Sequence, residues 1–487
     1  MEHVKTIGII GAGLSGLVAA KTCLEYGYDV KLFEKETELG GVWSSSRRYP
    51  GVTPQNTKDT YYFSDFQMPE HFDEWPRGED VQAYLEAYAK KFDVFPLINF
   101  SHEITNTDFQ NNKWIINGRN ATTIFTVEVD FLIICNGTFS DPFIPSLPGM
   151  ESFIEAGGQV LHSSQFQLTE QSKNKRLVVV GYSKSAHDVV TAGSETATST
   201  HLLFREAKWK MPRYIRGINV KYIILSRFGE ALIKPEQHNF MERFIYKIGL
   251  AKRMLAGMEK YISKRQKLNE AGLLPKASIK DQAFGEVTLE TPHFFERVQQ
   301  GKIITKQTEI VSLQGKQLIL SNGEQLECDL LVFATGFNQI IPFLPNQFLN
   351  KFIDPQGNYL LYRHILPVAV PSLAFVGYNT SIQCPISSEF GALWLCEYLK
   401  GRIAKPSIEQ MKESTAAFIK WRSKFRPNGS SRGLSTMPGT IHHVDMLLKD
   451  MKAPLPFLSL IPDWLLTINP GRYKKLRKKI LRRNFEK

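Results

Sequence analysis

Six residues, Gly11-Ala-Gly13-Leu-Ser15-Gly16, stand between an apolar run and a helical pattern. That spacing can hold a diphosphate. Gly11 permits a tight turn, Gly13 lets backbone approach a pyrophosphate, and Gly16 lets the helix sit close to the strand. The helix start, where Ser15 lies, offers N–H donors and a positive dipole end. Glu34, at the end of the next apolar run, supplies acceptors for ribose hydroxyls. A second arrangement, Gly181-Tyr-Ser183-Lys184-Ser185-Ala186, has Ser183 and Ala186 where two glycines would stand, but it occupies the same context. Arg205 ends the run that follows it, where the first unit has Glu34. A cation there suits a 2′-phosphate, so this unit is expected to take NADPH in preference to NADH.

The elements that must position these residues form two βαβ openings. In the first, strand residues 6–10 (TIGII) lead into a helix at about 14–26, then strand residues 29–34. In the second, RLVVV at 176–180 leads into a helix through Val190, then HLLFR at 201–205. A shorter repeat joins Asp130-FLIICN-Gly137 to Asp329-LLVFAT-Gly336: an aspartate, a buried strand, a glycine turn. The expected architecture is α/β, with two Rossmann-like dinucleotide-binding domains, the NADPH domain inserted into the FAD domain. The FAD domain would comprise residues 1–170 and 325–445. The NADPH domain would be 171–324, with a basic helical insertion at about 210–276. Residues 446–487 would form an apolar and basic tail. The stretch 142–149 is the proline-rich hinge.

Further motifs lie between the two units. Leu39-Gly40-Gly41-Val42-Trp43 resembles the second signature of FAD-binding chains, which assigns Gly41, Val42 and Trp43 to FAD at the first site. Ala156-x-Gly158-x-x-x-His162-x-x-x-Phe166 resembles the identifying sequence of the flavin-containing monooxygenases, with Ala156 in place of its first phenylalanine. Phe63-Ser-Asp-Phe66 and the threonine-glycine turn Thr335-Gly336 are also similar to that family, and the resemblance runs from about residue 5 to 440. Phe166 is followed by Gln167-Leu168 rather than the Trp-Pro of the related Baeyer–Villiger group. The resemblance implies FAD and NADPH as cofactors, O2 and a small molecule as substrates, and oxygenation of a soft nitrogen or sulfur nucleophile through a flavin C4a-hydroperoxide. Baeyer–Villiger oxidation of ketones is the alternative. It also implies roles for Asn56, with Thr57 beside it, at the oxygen-reacting edge of the flavin, although Asn56 stands one residue closer to the Ser-Asp-Phe stretch than in the family. Glu389, in a helix like the family's Glu-x-x-x-x-Trp, has two readings: cofactor contact or a helix N-terminal role. His162 reads as a structural hydrogen-bonder in the hinge.

Composition excludes other classes. Hydrophobic residues make up 43% of the 487-residue chain and charged residues 22%, which suits several globular domains rather than disorder. Five scattered cysteines without a CxxC pair disfavour a structural zinc site and a dithiol reductase, and suit a reducing, cytoplasmic setting. No secretory signal is visible at the N-terminus. The net charge of +12 is concentrated: residues 210–267 carry +10 and 472–487 carry +8, leaving −6 elsewhere. This disfavours a general nucleic-acid binder. In the tail, Tyr473, Leu476 and Ile480 share one side of a basic helix. Two readings stand for it, a peripheral anchor on anionic membrane and a solvated tail, with residues 239–267 as a second contact. The substrate and the oligomeric state are not legible.

Overall fold

The computed structural model describes residues 4–233, 240–282, 286–425, 432–437 and 439–484. It is built on two five-stranded parallel sheets. The first has the strand order Leu373–Phe375, Phe131–Ile134, Thr6–Ile10, Asp29–Phe33, Ile98–Asn99. The second has the order Ile304–Gln307, Ser199–Phe204, Arg176–Val180, Leu330–Phe333, Gln159–His162. The central strands, Thr6–Ile10 and Phe131–Ile134 in the first sheet and Arg176–Val180 and Leu330–Phe333 in the second, are apolar and almost wholly buried, as the inner strands of a parallel sheet must be. In each sheet the opening strand lies in the middle, with its crossover partner on one side and a later strand on the other. The glycine turns thus emerge at the two topological switch points, where ligands bind in open α/β sheets.

The second sheet corrects the expected domain boundary. Leu330–Phe333, expected in the outer domain that resumes at 325, pairs in parallel with Arg176–Val180, and Gln159–His162 pairs with it in turn. The strand that returns to the first sheet is Leu373–Phe375, against Phe131–Ile134. The repeated aspartates explain this. Asp130 Oδ2 accepts the N–H groups of Lys5 and Thr6 (both 2.9 Å), pinning the start of the first central strand. Asp329 Oδ2 accepts the Arg176 N–H (3.1 Å) and the Arg176 guanidinium (2.7 Å), pinning the second. Those Arg176 hydrogen bonds hold the Asp329 carboxyl well below the usual range. Each unit also carries a three-stranded antiparallel sheet before its aspartate strand, at residues 103–129 and 310–327.

Helix Cys384–Leu399 is apolar around most of its circumference and buried from Pro385 to Leu399, as such a helix must be. It packs on the first glycine-turn helix, Leu14–Glu25. Residues 210–289 form a helical insertion, closed at its base by a two-residue parallel ladder between Lys210–Met211 and Thr288–Leu289.

The tail's apolar side faces inward. Tyr473 and Ile480 are buried in the main core with Leu476 packed beside them, so the face expected to meet a membrane meets the protein. Lys474, Lys475, Lys478, Lys479 and Arg482 point outward. The side chains of Phe457, Leu458 and Leu465, residue 239, and residues 485–487 lie outside the described residues. Among the described residues, no helix is long and apolar enough to cross a membrane.

Candidate active site

At the first turn Gly11 has φ +103°, and a Cβ there would lie 2.6 Å from Cys135 O. A Cβ on Gly16 would lie 1.8 Å from Gly11 O, so the helix can begin this close to the strand only without a side chain. The Gly40-Gly41 element closes over the turn. Gly40 N–H donates to Ala12 O (3.1 Å), and Gly41 packs against Gly13. Val42 stays exposed, while Trp43 is buried edge-on to Tyr61. Glu34 is 8% exposed and accepts the Ala12 N–H (2.8 Å) and the Glu36 N–H (3.0 Å). Burial raises its carboxyl, and the two N–H donors oppose that rise. Ser15 Oγ lies 3.0 Å from Ser388 Oγ on the buried helix. It also packs so tightly on Gly377 that a Cβ there would sit 2.1 Å from the hydroxyl. Gly377 was missed in the sequence. Its signal, an apolar run (LAFV) ending in glycine, is the one that marked the other turns.

The second turn repeats this backbone. Gly181 has φ +134°, with Ala334 O 2.5 Å from a built Cβ. Ser183 stands at the N-terminal boundary of the helix Lys184–Gly193 without a side-chain cap hydrogen bond, Ser185 is half-buried and Ala186 is buried. Lys184 is not aimed at a ligand: its ammonium is buried against Asp188 of its own helix (2.6 Å to Oδ2). Arg205 is 81% exposed and pairs with Glu309 (2.8 Å). Its register differs from that of Glu34. Gly11 N–H donates to Phe33 O, whereas Gly181 N–H donates to Leu203 O. The residue equivalent to Glu34 is therefore Phe204, and Arg205 lies one step further out.

The loop after Trp43 crosses from one unit to the other. Tyr49 packs against the core of the second unit, and burial, with Asp188 nearby, pushes its hydroxyl pKa up. Arg213 donates to Thr53 Oγ1 (3.3 Å), and Leu289 N–H donates to Gln55 Oε1 (3.0 Å). Asn56, next along, is 1% exposed, and its Nδ2 is buried without a partner among the described residues. A buried amide donor of this kind is costly unless something accepts from it, which fits a bound group. Thr57 is buried and turned to Asp59 and Thr60.

At the hinge, His162 is fully buried. Its Nε2–H donates to Gly336 O (2.9 Å), leaving Nδ1 to accept the Ser164 N–H (3.2 Å). Burial lowers its pKa, so it stays neutral and ties the two halves together. Thr335 donates its hydroxyl to Phe143 O, across the hinge from Gly336.

Glu389 is held by the protein on several sides. Its carboxylate accepts the Ser64 N–H (2.8 Å) and Ser64 hydroxyl (2.6 Å) and pairs with Arg477 Nε (2.9 Å). Arg477 also meets Glu25 (3.1 Å) and Asp65 (3.4 Å). The tail thereby clamps the far end of the first turn's helix, a role invisible in a basic sequence. Among the described residues, no cluster could hold a metal ion.

Two glycine turns at the switch points of two parallel sheets define a protein with two dinucleotide-binding units. The comparisons carry this to a family. The flavin-binding monooxygenase-like model matches residues 4–459, and the chain belongs to that family. Its cofactors are FAD and NADPH, and it is an FAD-dependent monooxygenase. It is 25% identical to the 4-hydroxybenzoate brominase (decarboxylating) of Pseudoalteromonas luteoviolacea, over 95% of this chain and 87% of that protein. It is 27% identical to the N-oxide-forming dimethylaniline monooxygenase 2 of Rattus norvegicus, over 94% and 84%. Cyclohexanone monooxygenase from Rhodococcus sp. Phi1, solved bound to NADP+, superposes with a TM-score of 0.70 at 18% identity, over 92% of this chain and 98% of that one.

Proposed function

We propose that this protein uses NADPH and O2 to oxygenate a soft nitrogen or sulfur nucleophile in a small molecule, by way of the flavin C4a-hydroperoxide. The reading rests on one observation above the rest. The loop of residues 46–57 spans the two dinucleotide units and buries at its end an amide donor, Asn56 Nδ2, that has no acceptor among the described residues.

FAD, when bound, supplies the redox chemistry and the activation of O2. The chain's own residues bind, orient and exclude water. The N–H groups at the start of the Leu14–Glu25 helix face the FAD diphosphate, and Glu34 accepts from the adenosine ribose. NADPH binds at the second turn, with Arg205 beside the 2′-phosphate. Asn56 donates a hydrogen bond to the reacting oxygen or to the nicotinamide carbonyl. The apolar surroundings keep water away and so slow unproductive loss of hydrogen peroxide. In this reading the NADPH domain is the unit built on the second sheet, and the FAD domain is the rest. The outward lysines of the tail remain available to an anionic membrane.

The test is Asn56→Asp. An ionised carboxylate accepts but cannot donate, so NADPH oxidation should continue while product per NADPH falls and hydrogen peroxide rises. Unchanged product yield would remove Asn56 from the site. Assaying the wild type with a tertiary amine, a thioether and a ketone separates heteroatom oxygenation from the Baeyer–Villiger outcome.

A further inference from the structure

Lys210 opens the helical insertion, on the short ladder with Thr288–Leu289, and is 1% exposed. Its Nζ donates to Tyr182 O in the second glycine turn (2.6 Å) and to Thr288 Oγ1 (2.9 Å). Two acceptors satisfy the two N–H groups of a neutral amine, whereas an ammonium has three. Among the described residues no carboxylate reaches Nζ through a hydrogen bond or an ion pair. Asp188, on helix Lys184–Gly193, is already committed: it accepts from the Lys184 ammonium (2.6 Å) and from the Thr291 hydroxyl. A buried ammonium without its own counterion is costly.

The other groups around Lys210 do not offset that cost. Burial, then the Lys184 ammonium, push Lys210 down to about 7, against the pull of Asp188. Lys208 adds to the repulsion and is itself paired with Glu206 (2.5 Å) and Glu286 (3.1 Å). Burial holds His187, one helix turn from the glycine turn, well below its ordinary value, and raises the Tyr49 phenol, so both stay neutral. Gln266 donates to the Lys210 carbonyl (2.9 Å) and to Glu290, which Arg265 pairs (2.7 Å). The Tyr182 ring centroid lies 5.1 Å from Nζ, near enough to favour a charge there once one forms.

The geometry also says what such a charge would do. Tyr182 O and the Ser183 N–H belong to one peptide, and in a planar trans peptide they point in opposite directions. Lys210 holds this peptide by its carbonyl, and a charge on Nζ strengthens the N–H as a donor on the opposite side. Helix Lys184–Gly193 starts at the next residue, so an anion at the turn meets that N–H and the positive helix end together. The anion and a Lys210 ammonium stabilise each other.

We propose that Lys210 is the proton acceptor of nucleotide binding: as the dinucleotide diphosphate seats at the second turn, Nζ takes one proton from solvent, passing from amine to ammonium, and the turn grips the diphosphate through that charge. One N–H bond forms and no electron moves. This rests on the assignment of NADPH to that turn. Lys210 is a positioning residue: it touches the turn, not the reacting atoms.

Isothermal titration of NADP+ into the FAD-loaded protein tests it, in buffers of different ionisation enthalpy, so that the protons exchanged are counted directly. At pH 8 a 2′-phosphate, with a second pKa of about 6, is already ionised and His187 is neutral, so neither supplies the change. The wild type should take up about 0.4–0.8 proton per NADP+ at pH 8, and its Kd should weaken about four- to twelvefold from pH 7 to 8.5. Lys210→Met puts an apolar side chain of similar length in the buried site, so it should fold, bind NADP+ with no such uptake and show a flat Kd over that range. Lys210→Arg, charged at every pH, should also take up no proton but keep tight binding at pH 8.5, which a merely structural residue would not do. Lys208→Met should keep the wild-type uptake. The proposal is overturned if Lys210→Met takes up as much as the wild type, or if Lys208→Met alone abolishes the uptake. Tight NADP+ binding to the wild type without proton uptake would overturn the proposal alone, whereas no NADP+ binding would overturn the NADPH reading with it.

Discussion

The two glycine turns share a backbone and differ in what holds them. The first is fixed by glycine against glycine: Gly16 on Gly11, Gly41 on Gly13, and Gly377 under Ser15. Its strand-end acid is buried and already accepts two backbone N–H groups. The second has lost two glycines and is fixed by side chains instead, through Lys210 on Tyr182 O and Lys184 on Asp188. Its strand-end cation stands in solvent. A cofactor that stays bound suits the first design. A cofactor that must enter and leave suits a turn whose recognition charge is exposed and whose support is a buried lysine of the helical insertion.

Breaking each turn by the same means should separate the two roles, and here the largest effects are expected. Gly16→Val places a side chain where a Cβ already lies 1.8 Å from Gly11 O. The clash is in the core and should cost more than about 4 kcal/mol, giving protein without flavin absorbance near the visible flavin band. Gly181→Ala adds a Cβ 2.5 Å from Ala334 O at φ +134°. That protein should stay yellow and be reduced by dithionite, but lose reduction by NADPH. Loss of flavin from Gly181→Ala would show that the turns are not separable.

The next effect tests whether the second turn is held by a buried lysine. Burial, with Lys184 nearby, lowers Lys210 to about 7, against about 10.4 in an unfolded chain. Between those values the unfolded chain binds a proton that the folded protein does not. Stability therefore rises with pH across that window, by about 1.4 kcal/mol per pH unit from this group. Below pH 7 both states are protonated, and the folded state carries the whole cost of the buried charge, roughly 3–5 kcal/mol. Lys210→Met should flatten that slope in denaturant titrations between pH 7 and 10. A slope unchanged by the substitution would mean that Lys210 is not the group responsible.

Much of this was legible in the sequence, and the losses follow one rule. The glycine turns were legible because a positive φ or a missing Cβ can be met by few residues, so the requirement is written locally. The Asp130 and Asp329 repeat was visible as a pattern. Which strand each aspartate closes was not, since Leu330–Phe333 finds Arg176–Val180 only in three dimensions. The i, i+3, i+7 side of the tail was correct, but periodicity does not say whether an apolar face meets lipid or core; Tyr473 and Ile480 meet core. Glu389 sat on the expected helix, yet its partner Arg477 comes from the tail. Lys210 belongs to a strongly basic segment and reads as solvated. Its acceptors, Tyr182 O and Thr288 Oγ1, are assembled by the fold alone.

A smaller effect concerns the exposed cation itself. Arg205 lies one residue beyond the Glu34 position and 81% in solvent, so the 2′-phosphate contact proposed for it would be a screened one. Arg205→Ala should weaken NADPH by about 1–2 kcal/mol, roughly five- to thirtyfold, and leave NADH nearly unchanged. Steady-state KM values for the two coenzymes at low and high salt check this. Equal losses for both would remove Arg205 from the phosphate site and leave the second turn without its discriminating charge.

The smallest effect runs the other way. Arg205 Nε donates to Glu309 Oε2 at 2.8 Å. A 2′-phosphate arriving at Arg205 must compete with that carboxylate and accept its repulsion. Exposed pairs of this kind are worth about 0.2–1 kcal/mol. Glu309→Gln removes the charge while keeping the side chain's shape, so it should tighten NADPH by about 1.5- to fivefold. The gain should shrink as salt is added, because an exposed charge is screened within about 10 Å at 0.1 M. At the first turn, Glu34 is buried and, among the described residues, accepts from backbone N–H groups rather than from a cation, so no such gain is available there. If Glu309→Gln instead weakened NADPH, the Arg205–Glu309 pair would be holding the arginine in place rather than competing for it. The second turn would then be as pre-organised as the first.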